Sequence, residues 1–455
     1  MATDTDHTFD IVVIGLGPGG EYLAGTLAER GLRVLAVDRN LVGGECPYWG
    51  CIPSKMMIRA ADSLAEARRV EGLAGSVGEV RPDWSVVAKR IREEATDSWN
   101  DQVAVDRLTK KGATVLHGTG RITGPGEVDV DGTTYAATKG VVVNPGTRPS
   151  VPPIEGLRET PYWTNHEIIE ADELPASLVV LGGGAIGCEL SQVMARFGVE
   201  VTVVEAADRI LSLEEPEASE KLVAALEADG ITVRTGVGAE KVSHDGSSFT
   251  ITLADGSTLE AERLLVATGR RADPAAVGLD AVGVPSDART APVDDRCRVT
   301  DGVWAVGDIT GKGAFTHVSM YQAGIVVRDV LGDDGPPAEY AALPRVTFTD
   351  PEVGAVGMTE AQAREKLANV EVGVTPLGET TRGWIAKADG FIKVVADADR
   401  GILVGATAMG PAGGEVLGAL AVAVHGQVPV DRLRSMIYAY PTLHRGIETA
   451  LAQLD

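Results

Sequence analysis

Basic residues, aromatics and cysteines are all scarce in this chain. Among 455 residues, 41 are Lys or Arg against 65 Asp or Glu, which gives a formal charge of −24. Such an acidic excess excludes the basic patch that nucleic acid or an anionic membrane requires, and it serves solubility instead. Long apolar runs are missing too. The longest, roughly Val416 to Val424, is too short and too rich in Ala and Gly to span a bilayer, and it reads as a buried helix. The opening residues, MATDTDHTFD, lack the basic and apolar regions of a secretory signal, so the expected compartment is the cytoplasm. Four cysteines make no disulfide scaffold, and in a reducing compartment a persistent disulfide is catalytic or redox-sensing. Two of them, Cys46 and Cys51, stand close together in GGECPYWGCIPSK, whereas Cys188 and Cys297 are isolated.

Glycine, by contrast, is abundant and patterned. Phe9 to Ile14 reads as a buried strand running into GLGPGG, followed by a helical stretch from Glu21 to Glu29 and a second strand, Leu32 to Asp38. Gly15, Gly17 and Gly20 with the terminal Asp38 match the dinucleotide-binding fingerprint. Its glycines permit a tight turn and close approach of a pyrophosphate to a helix N-terminus, and its acid accepts from a ribose hydroxyl. The unit occurs twice. Ser177 to Leu181 leads into GGGAIG, with Gly182, Gly184 and Gly187, then a helix to about Phe197 and a strand, Val201 to Glu205. Two such sites suggest two nucleotides that exchange electrons, and FAD with a nicotinamide is the natural pair. A carboxylate at Glu205 repels a 2′-phosphate and favours NADH over NADPH, although nearby Arg209 opposes this.

Further along, a strand from Thr134 to Val143 ends in NPGTRPSVPPIEG, a connection between domains. Apolar runs at Leu264 to Thr268 and Val303 to Val306 end in ATGRR and GDIT. After Pro336 the pattern changes to alternating strands, such as Arg345 to Thr349 and Ile392 to Ala396, followed by helices, as in an α+β domain.

These stretches, together with GGGAIGCE, WAVGDIT and FTDPEVGAVGMTE, resemble the pyridine nucleotide-disulfide oxidoreductases, the family of dihydrolipoamide dehydrogenase, glutathione reductase and mercuric reductase. The resemblance covers essentially the whole chain. It implies an α/β fold with two Rossmann-like dinucleotide-binding domains, for FAD and NAD, and a C-terminal α+β dimerisation domain. The expected boundaries are 1–155 and 275–335 for the two FAD segments, 156–274 for the NAD domain and 336–455 for the interface domain of a homodimer. The expected cofactor-binding set adds Arg39, Gly44, Gly146, Gly269, Asp308 and His317 to the residues above.

A disulfide that takes electrons from reduced flavin needs positive potential to keep the resulting thiolate ionised. The helix-compatible stretch KMMIRAADSLAEARR places both cysteines near a helix N-terminus that supplies some of it. A static staple and a metal clip are the alternatives, but two thiols without a nearby His or a second Cys pair make a poor zinc site, and no metal is expected. By the resemblance Cys51 faces the flavin and Cys46 is the interchange thiol. Lys55 and Glu189 form an ion pair beside the ring, where a cation holds the charge of reduced flavin. Asp308 accepts from the ribityl chain, a role its sequence context shares with a simple Asx turn.

The C-terminus departs from the family pattern. In YAYPTLHRGIETAL, Tyr440 stands where the family has a His and Arg445 where it has a Glu, so the usual acid–base dyad is missing. A phenol with an ordinary pKa near 10 is a poor base at neutral pH. His444 and Glu448 lie at i,i+4 and could pair, either as a replacement or as a solvent-facing helix pair. Pro47, Tyr48 and Trp49 put bulk beside the interchange thiol. The expected catalytic set is therefore Cys46, Cys51, Lys55 and Glu189, with Tyr440 or His444. The acceptor is expected to be a small disulfide, a dithiol or a metal ion. Alternatives are a quinone or dye reductase with spectator cysteines, and a subunit of a multi-enzyme assembly.

Overall fold

The computed structural model describes residues 7–455. Residues 1–6, part of the segment on which the expected absence of a secretory signal rests, lie outside the described residues. Strand β1 (Thr8–Ile14) enters the first glycine turn, and helix α1 (Pro18–Glu29) begins inside it, three residues before Glu21. The reason is Pro18, which brings no N–H to satisfy at the first helical position and has a φ already suited to a helix. In chain order there follow β2 (Val34–Asp38), α2 (Glu45–Tyr48), α3 (Cys51–Leu73), β3 (Thr114–His117) and β4 (Thr133–Val143). The second glycine unit is β5 (Ser177–Leu181), α4 (Ala185–Arg196) and β6 (Glu200–Val204), continued by β7 (Thr232–Arg234) and β8 (Arg263–Val266). Then come β9 (Val303–Ala305), α5 (Thr316–Leu331), β10 (Pro344–Thr347), β11 (Glu352–Gly357), β12 (Val370–Pro376), β13 (Phe391–Asp397), β14 (Ile402–Gly410) and α6 (Gly413–His425).

The chain forms two compact units. One contains Met1–Ser54, Ala88–Ser150 and Arg270–Glu339. Its parallel core runs β9-β4-β1-β2-β3, the doubly wound order. Alternate residues of β1 feed different cores. Ile11 and Val13 pack on one face with Leu23, Leu27 and Val326, while Val12 and Ile14 pack on the other with Ile122, Val128 and Leu279. A strand covered on both faces reads as a continuous apolar run, which is why FDIVVI shows no alternation.

The other unit contains Lys55–Val87, Val151–Gly269 and Tyr340–Asp455. It holds a second parallel sheet, β7-β6-β5-β8, and an antiparallel sheet ordered β10-β11-β14-β13-β12. The expected alternation fails in β13, where every residue from Phe391 to Asp397 is buried. Its one lysine, Lys393, is only 2% exposed, and its ammonium meets Glu215, Glu217 and Glu360 at 3.0, 2.8 and 2.9 Å. A buried charge persists when it is paired, so the sequence pattern alone misassigns this face. Helix α6 packs Val416, Leu417, Leu420, Ala423 and Val424 inward, while Val422 faces out. It is amphipathic rather than wholly buried. Among the described residues no helix is long and apolar enough to cross a membrane.

Candidate active site

In the first unit the loop after β1 is built by close backbone approach. Gly15 has φ 91°, and a Cβ there would lie 2.3 Å from the Asn144 carbonyl oxygen. A Cβ at Gly20 would lie 2.1 Å from the Gly15 oxygen. Gly17 differs from both. Its φ of −60° suits any residue, and no side chain caps the helix it opens, so neither backbone strain nor capping accounts for a glycine there. A bare backbone at an uncapped helix N-terminus fits a pyrophosphate. Asn144, which the sequence patterns did not single out, ties the loop together. Its amide accepts from Gly20 N–H at 2.9 Å and donates to Ser319 Oγ and the Val306 carbonyl at 3.1 and 3.0 Å.

Asp38 is buried and accepts from the backbone N–H of Leu16 at 2.6 Å and of Asn40 at 2.8 Å. Burial pushes its carboxyl above the usual range, against the pull of those two N–H groups and of Arg39. Arg39 itself is exposed. Gly44 has φ 69°, and a Cβ there would press to 2.7 Å on Gly17 Cα, so the cysteine-bearing loop packs directly on the phosphate-type turn. Asp308 accepts from Thr147 Oγ1 at 2.8 Å, and Arg270 in turn reaches Thr147 Oγ1 and its carbonyl at 2.9 and 2.7 Å. Burial raises Asp308, and the Thr147 bond and Arg270 oppose it. Arg270 also pairs with Glu45 at 3.4 Å, which links the residue beside Cys46 to the GDIT turn. Gly146 has φ 66°, with no protein atom within 4 Å of a Cβ placed on it, and the His317 ring stacks on Phe315 with centroids 5.1 Å apart.

Cys46 sits in the short helix α2 and Cys51 is the first residue of α3; both are thiols rather than halves of a disulfide. Cys51 Sγ lies 3.3 Å from Thr316 Oγ1, and Thr316 is the first residue of the long helix α5. A hydrogen bond to Cys51 and burial push the Cys46 thiol far above the usual range, against a weaker pull from the Thr316 hydroxyl. Thr316 is a second residue that motif reading missed, because a lone Thr in AFTHV has no local signal. The bulk between the cysteines is partly turned away. Tyr48 is buried and its hydroxyl donates to the Val42 carbonyl at 3.3 Å, so it packs the loop rather than crowding Cys46. Cys188 is fully buried, its S–H donates to the Gly183 carbonyl at 3.4 Å, and burial pushes its thiol up.

In the second unit the glycine turn repeats the same construction. A Cβ on Gly182 (φ 111°) would meet the Ala267 oxygen at 2.4 Å, and one on Gly187 the Gly182 oxygen at 2.0 Å. Gly184 has an ordinary extended conformation and a Cβ there meets nothing within 4 Å. Neither packing nor strain demands glycine at that position, and open space beside an uncapped helix start fits a dinucleotide phosphate. Glu205 follows β6, and its two oxygens accept from Gly183 N–H at 2.6 Å and Ala207 N–H at 2.8 Å. Beside it lies a cavity of about 600 Å³ lined by residues 233–237, Ala254 and Asp255, to which the Glu205 backbone is bonded through Arg234 and Val237. Arg209 turns away to the Leu211 and Ser212 carbonyls at 3.1 and 2.8 Å. Gly269, at φ 105°, ends the ATG turn.

Also in this unit, Lys55 Nζ and Glu189 Oε2 are 2.8 Å apart, and Glu189 Oε1 accepts from Phe348 N–H at 2.8 Å. The ammonium lies 4.7 Å from the Phe348 ring centroid. At the C-terminus Tyr440 is two-thirds exposed, and its hydroxyl lies 3.3 Å from Thr381 Oγ1 with the Arg445 guanidinium 5.4 Å from its ring. The expected His444–Glu448 pair does not form. His444 belongs to a 3-10 turn, Leu443–Arg445, and the α-helix starts only at Gly446, so the two do not share one helical face. Arg445 takes Glu448 instead at 2.9 Å, and His444 lies against Tyr438 with ring centroids 6.3 Å apart.

Residues 9–323 match the family described as pyridine nucleotide-disulphide oxidoreductase, and residues 343–451 match its dimerisation domain. The chain is similar to a dihydrolipoyl dehydrogenase of Chlorobaculum tepidum, 34% identical over 97% of this chain and 96% of that protein. It is also similar to a mercuric reductase of Bacillus cereus, 31% identical over 99% of this chain and 72% of that one. Among solved structures it resembles the HOCl-induced flavoprotein disulfide reductase RclA of Escherichia coli, with a TM-score of 0.86 and 26% identity over 98% of this chain and all of that one. That protein has also been solved as a Cu(II) complex.

Proposed function

This chain belongs to the pyridine nucleotide-disulphide oxidoreductases and is an NAD(P)H-dependent FAD disulfide oxidoreductase, and on that premise we propose that it carries electrons from NADH, by way of Cys46 and Cys51, to a small disulfide or a soft metal ion. The observation that carries this reading is the pair of thiols sharing one threonine hydroxyl at the start of α5. Bound FAD supplies the means of passing an electron pair between the nicotinamide and the cysteines. On the protein side, Gly15, Gly17 and Gly20 with Asp38 hold the adenosine diphosphate half of FAD, and Asp308, kept in place by Thr147 and Arg270, holds its ribityl chain. Gly146 and His317 line the same cofactor site. Gly182, Gly184, Gly187 and Glu205 hold the nicotinamide dinucleotide, and Lys55, paired to Glu189, supplies the cation that favours reduced flavin.

In the reduced pair the hydrogen bond to Cys51 and burial keep the proton on Cys46. Exchange with an acceptor disulfide RSSR′ then balances without an outside redox partner. Cys46 loses its proton and attacks one sulfur, which forms Cys46–SR and expels R′S⁻ with that proton. The Cys51 thiolate attacks Cys46 Sγ, which closes the Cys46–Cys51 disulfide and expels RS⁻. A soft metal ion is included because thiolates are soft ligands, and because relatives of this chain are a mercuric reductase and a flavoprotein disulfide reductase solved with Cu(II).

Anaerobic titration of the flavin-loaded protein with dithionite tests the reading. The expected result is four electrons per flavin, with a long-wavelength thiolate–flavin band at the half-way point; two electrons and no band would remove the cysteines from the path. A second reading, direct reduction of quinones with the cysteines as spectators, is favoured by one observation: the raised Cys46 thiol has neither the His nor the Glu of the family dyad in its own chain's C-terminal segment.

The preference for NADH rests on Glu205, whose carboxylate is held in place by two backbone amides, and on Arg209, which is committed to backbone carbonyls. Replacing Glu205 by Ala is expected to shift the ratio of kcat/KM for NADH over NADPH at least about tenfold toward NADPH, equivalent to roughly 1.4 kcal/mol. An unchanged ratio would remove the assignment.

A further inference from the structure

Helices α3 and α4 are joined by two ion pairs of opposite polarity at the same spacing. Lys55 and Asp62 stand seven residues apart on α3, and Glu189 and Arg196 stand seven apart on α4. Lys55 meets Glu189 at 2.8 Å, and Arg196 meets Asp62 at 2.7 Å. Between these pairs one backbone segment, Phe348 to Asp350, is gripped at three successive levels of α4. Glu189 accepts from Phe348 N–H at 2.8 Å. One turn on, the Gln192 amide makes two bonds to Asp350, accepting from its N–H at 2.7 Å and donating to its carbonyl at 2.9 Å. A further turn on, Arg196 donates to the Asp350 carboxylate at 2.7 Å, and Arg69 of α3 reaches the same carboxylate. Asp229 ties the ladder from its far side, accepting from both Gln192 and Arg196 at 2.9 Å. Glu189, Gln192 and Arg196 are 5%, 4% and 3% exposed.

The consequence falls on Lys55. Two groups that its ammonium meets, the Glu189 carboxylate and the Phe348 ring, are held through this ladder. We propose that Gln192 and Arg196 are positioning residues for the Lys55 ammonium, and that through it they tune the reduction of the flavin. This rests on the reading of Lys55 as the cation that favours reduced flavin. Without the Gln192 amide, Asp350 loses its two bonds to α4 through the backbone and keeps only its carboxylate bonds to Arg196 and Arg69, so the Phe348 segment loosens against Glu189 and the two contacts of Lys55 loosen with it.

The test measures the reduced-to-oxidised flavin ratio of the holoenzyme against a reference dye in four forms: wild type, Lys55→Met, Gln192→Leu and the double variant. Gln192→Leu keeps the side-chain bulk and removes only the amide. The expected result is that Lys55→Met and Gln192→Leu each lower the ratio, the latter about tenfold, or 30 mV for a two-electron couple. In the Lys55→Met background Gln192→Leu should then have no further effect. A Gln192→Leu shift of equal size in both backgrounds would mean general loosening and would overturn the proposal, as would no shift in the single variant. If Lys55→Met itself leaves the ratio unchanged, the reading of Lys55 fails and the proposal falls with it. Should Gln192→Leu not fold, Arg196→Lys, which keeps the charge but not the forked bonds, decides the matter by the same cycle. Its ratio falls in the Lys55 background alone if the proposal holds.

Discussion

Cys51→Ser is expected to abolish turnover with an aromatic disulfide, by at least about a thousandfold, while leaving NADH-dependent reduction of a quinone such as menadione near the wild-type rate. Cys46 remains in this variant and can attack the acceptor once, but no thiol is left to resolve the Cys46–SR mixed disulfide, so each protomer stops after one exchange. Burst-phase release of one thiol per protomer, followed by no steady state, is the signature to look for. A variant that keeps full disulfide turnover would sink the proposed path and leave the quinone reading in its place. The wild-type pH profile gives an independent check. Burial and the bond to Cys51 raise the Cys46 thiol far above neutrality. The attacking thiolate is therefore the minor form at pH 7, and its fraction grows about tenfold per pH unit. Disulfide turnover should climb between pH 7 and 9 without a plateau, whereas direct quinone reduction has no reason to follow that slope.

Much of this site is legible in the amino-acid sequence, because its chemistry is written in local patterns. The two glycine fingerprints each lie within one strand–turn–helix unit and share one spacing, so that both read as dinucleotide turns, while giving the first to FAD and the second to the nicotinamide follows from the family resemblance. The parts that are not legible depend on contacts between distant segments. Thr316 reaches Cys51 across 265 residues, and Asn144 reaches Gly20 and Ser319 from the end of β4. A single Thr or Asn in an ordinary context carries no mark of such a role. The misreading of β13 has the same origin. Alternation predicts a face by assuming that a lysine seeks water, and Lys393 is instead satisfied by carboxylates from residues 215, 217 and 360. The pairing of His444 with Glu448 fails for a local reason. Their i,i+4 spacing presumes an α-helix, but the chain is still in a 3-10 turn at 444, and the guanidinium of Arg445 reaches Glu448 instead.

The dimerisation-domain match supports a homodimer, and the exposed apolar residues within the matched span point to where it forms. Ile437 is 96% exposed, Trp384 73% and Tyr440 66%, and the Tyr440–Thr381 contact joins the segment around 437 to the short helix Thr381–Ala386 that carries Trp384. Isolated exposed apolar residues need no explanation, but a linked group this bare on a chain with so acidic a surface does. Ile437→Glu is expected to convert the dimer to a monomer in sedimentation velocity. Losing the buried Ile removes about 2 kcal/mol of apolar contact, and a carboxylate without a partner adds a desolvation cost of several kcal/mol. The dimer constant should therefore weaken by at least about a thousandfold. Because Ile437 touches almost nothing in its own protomer, the fold and FAD content should be retained, so loss of association is separable from loss of structure. The activity of that monomer then decides the role of Tyr440. Disulfide turnover that disappears while FAD stays bound would mean that the 436–445 segment works on the partner's cysteines. Turnover that survives in the monomer would leave Tyr440 and Arg445 outside the chemistry and leave the Thr316 hydroxyl, 3.3 Å from Cys51 Sγ, as the polar group beside the thiols.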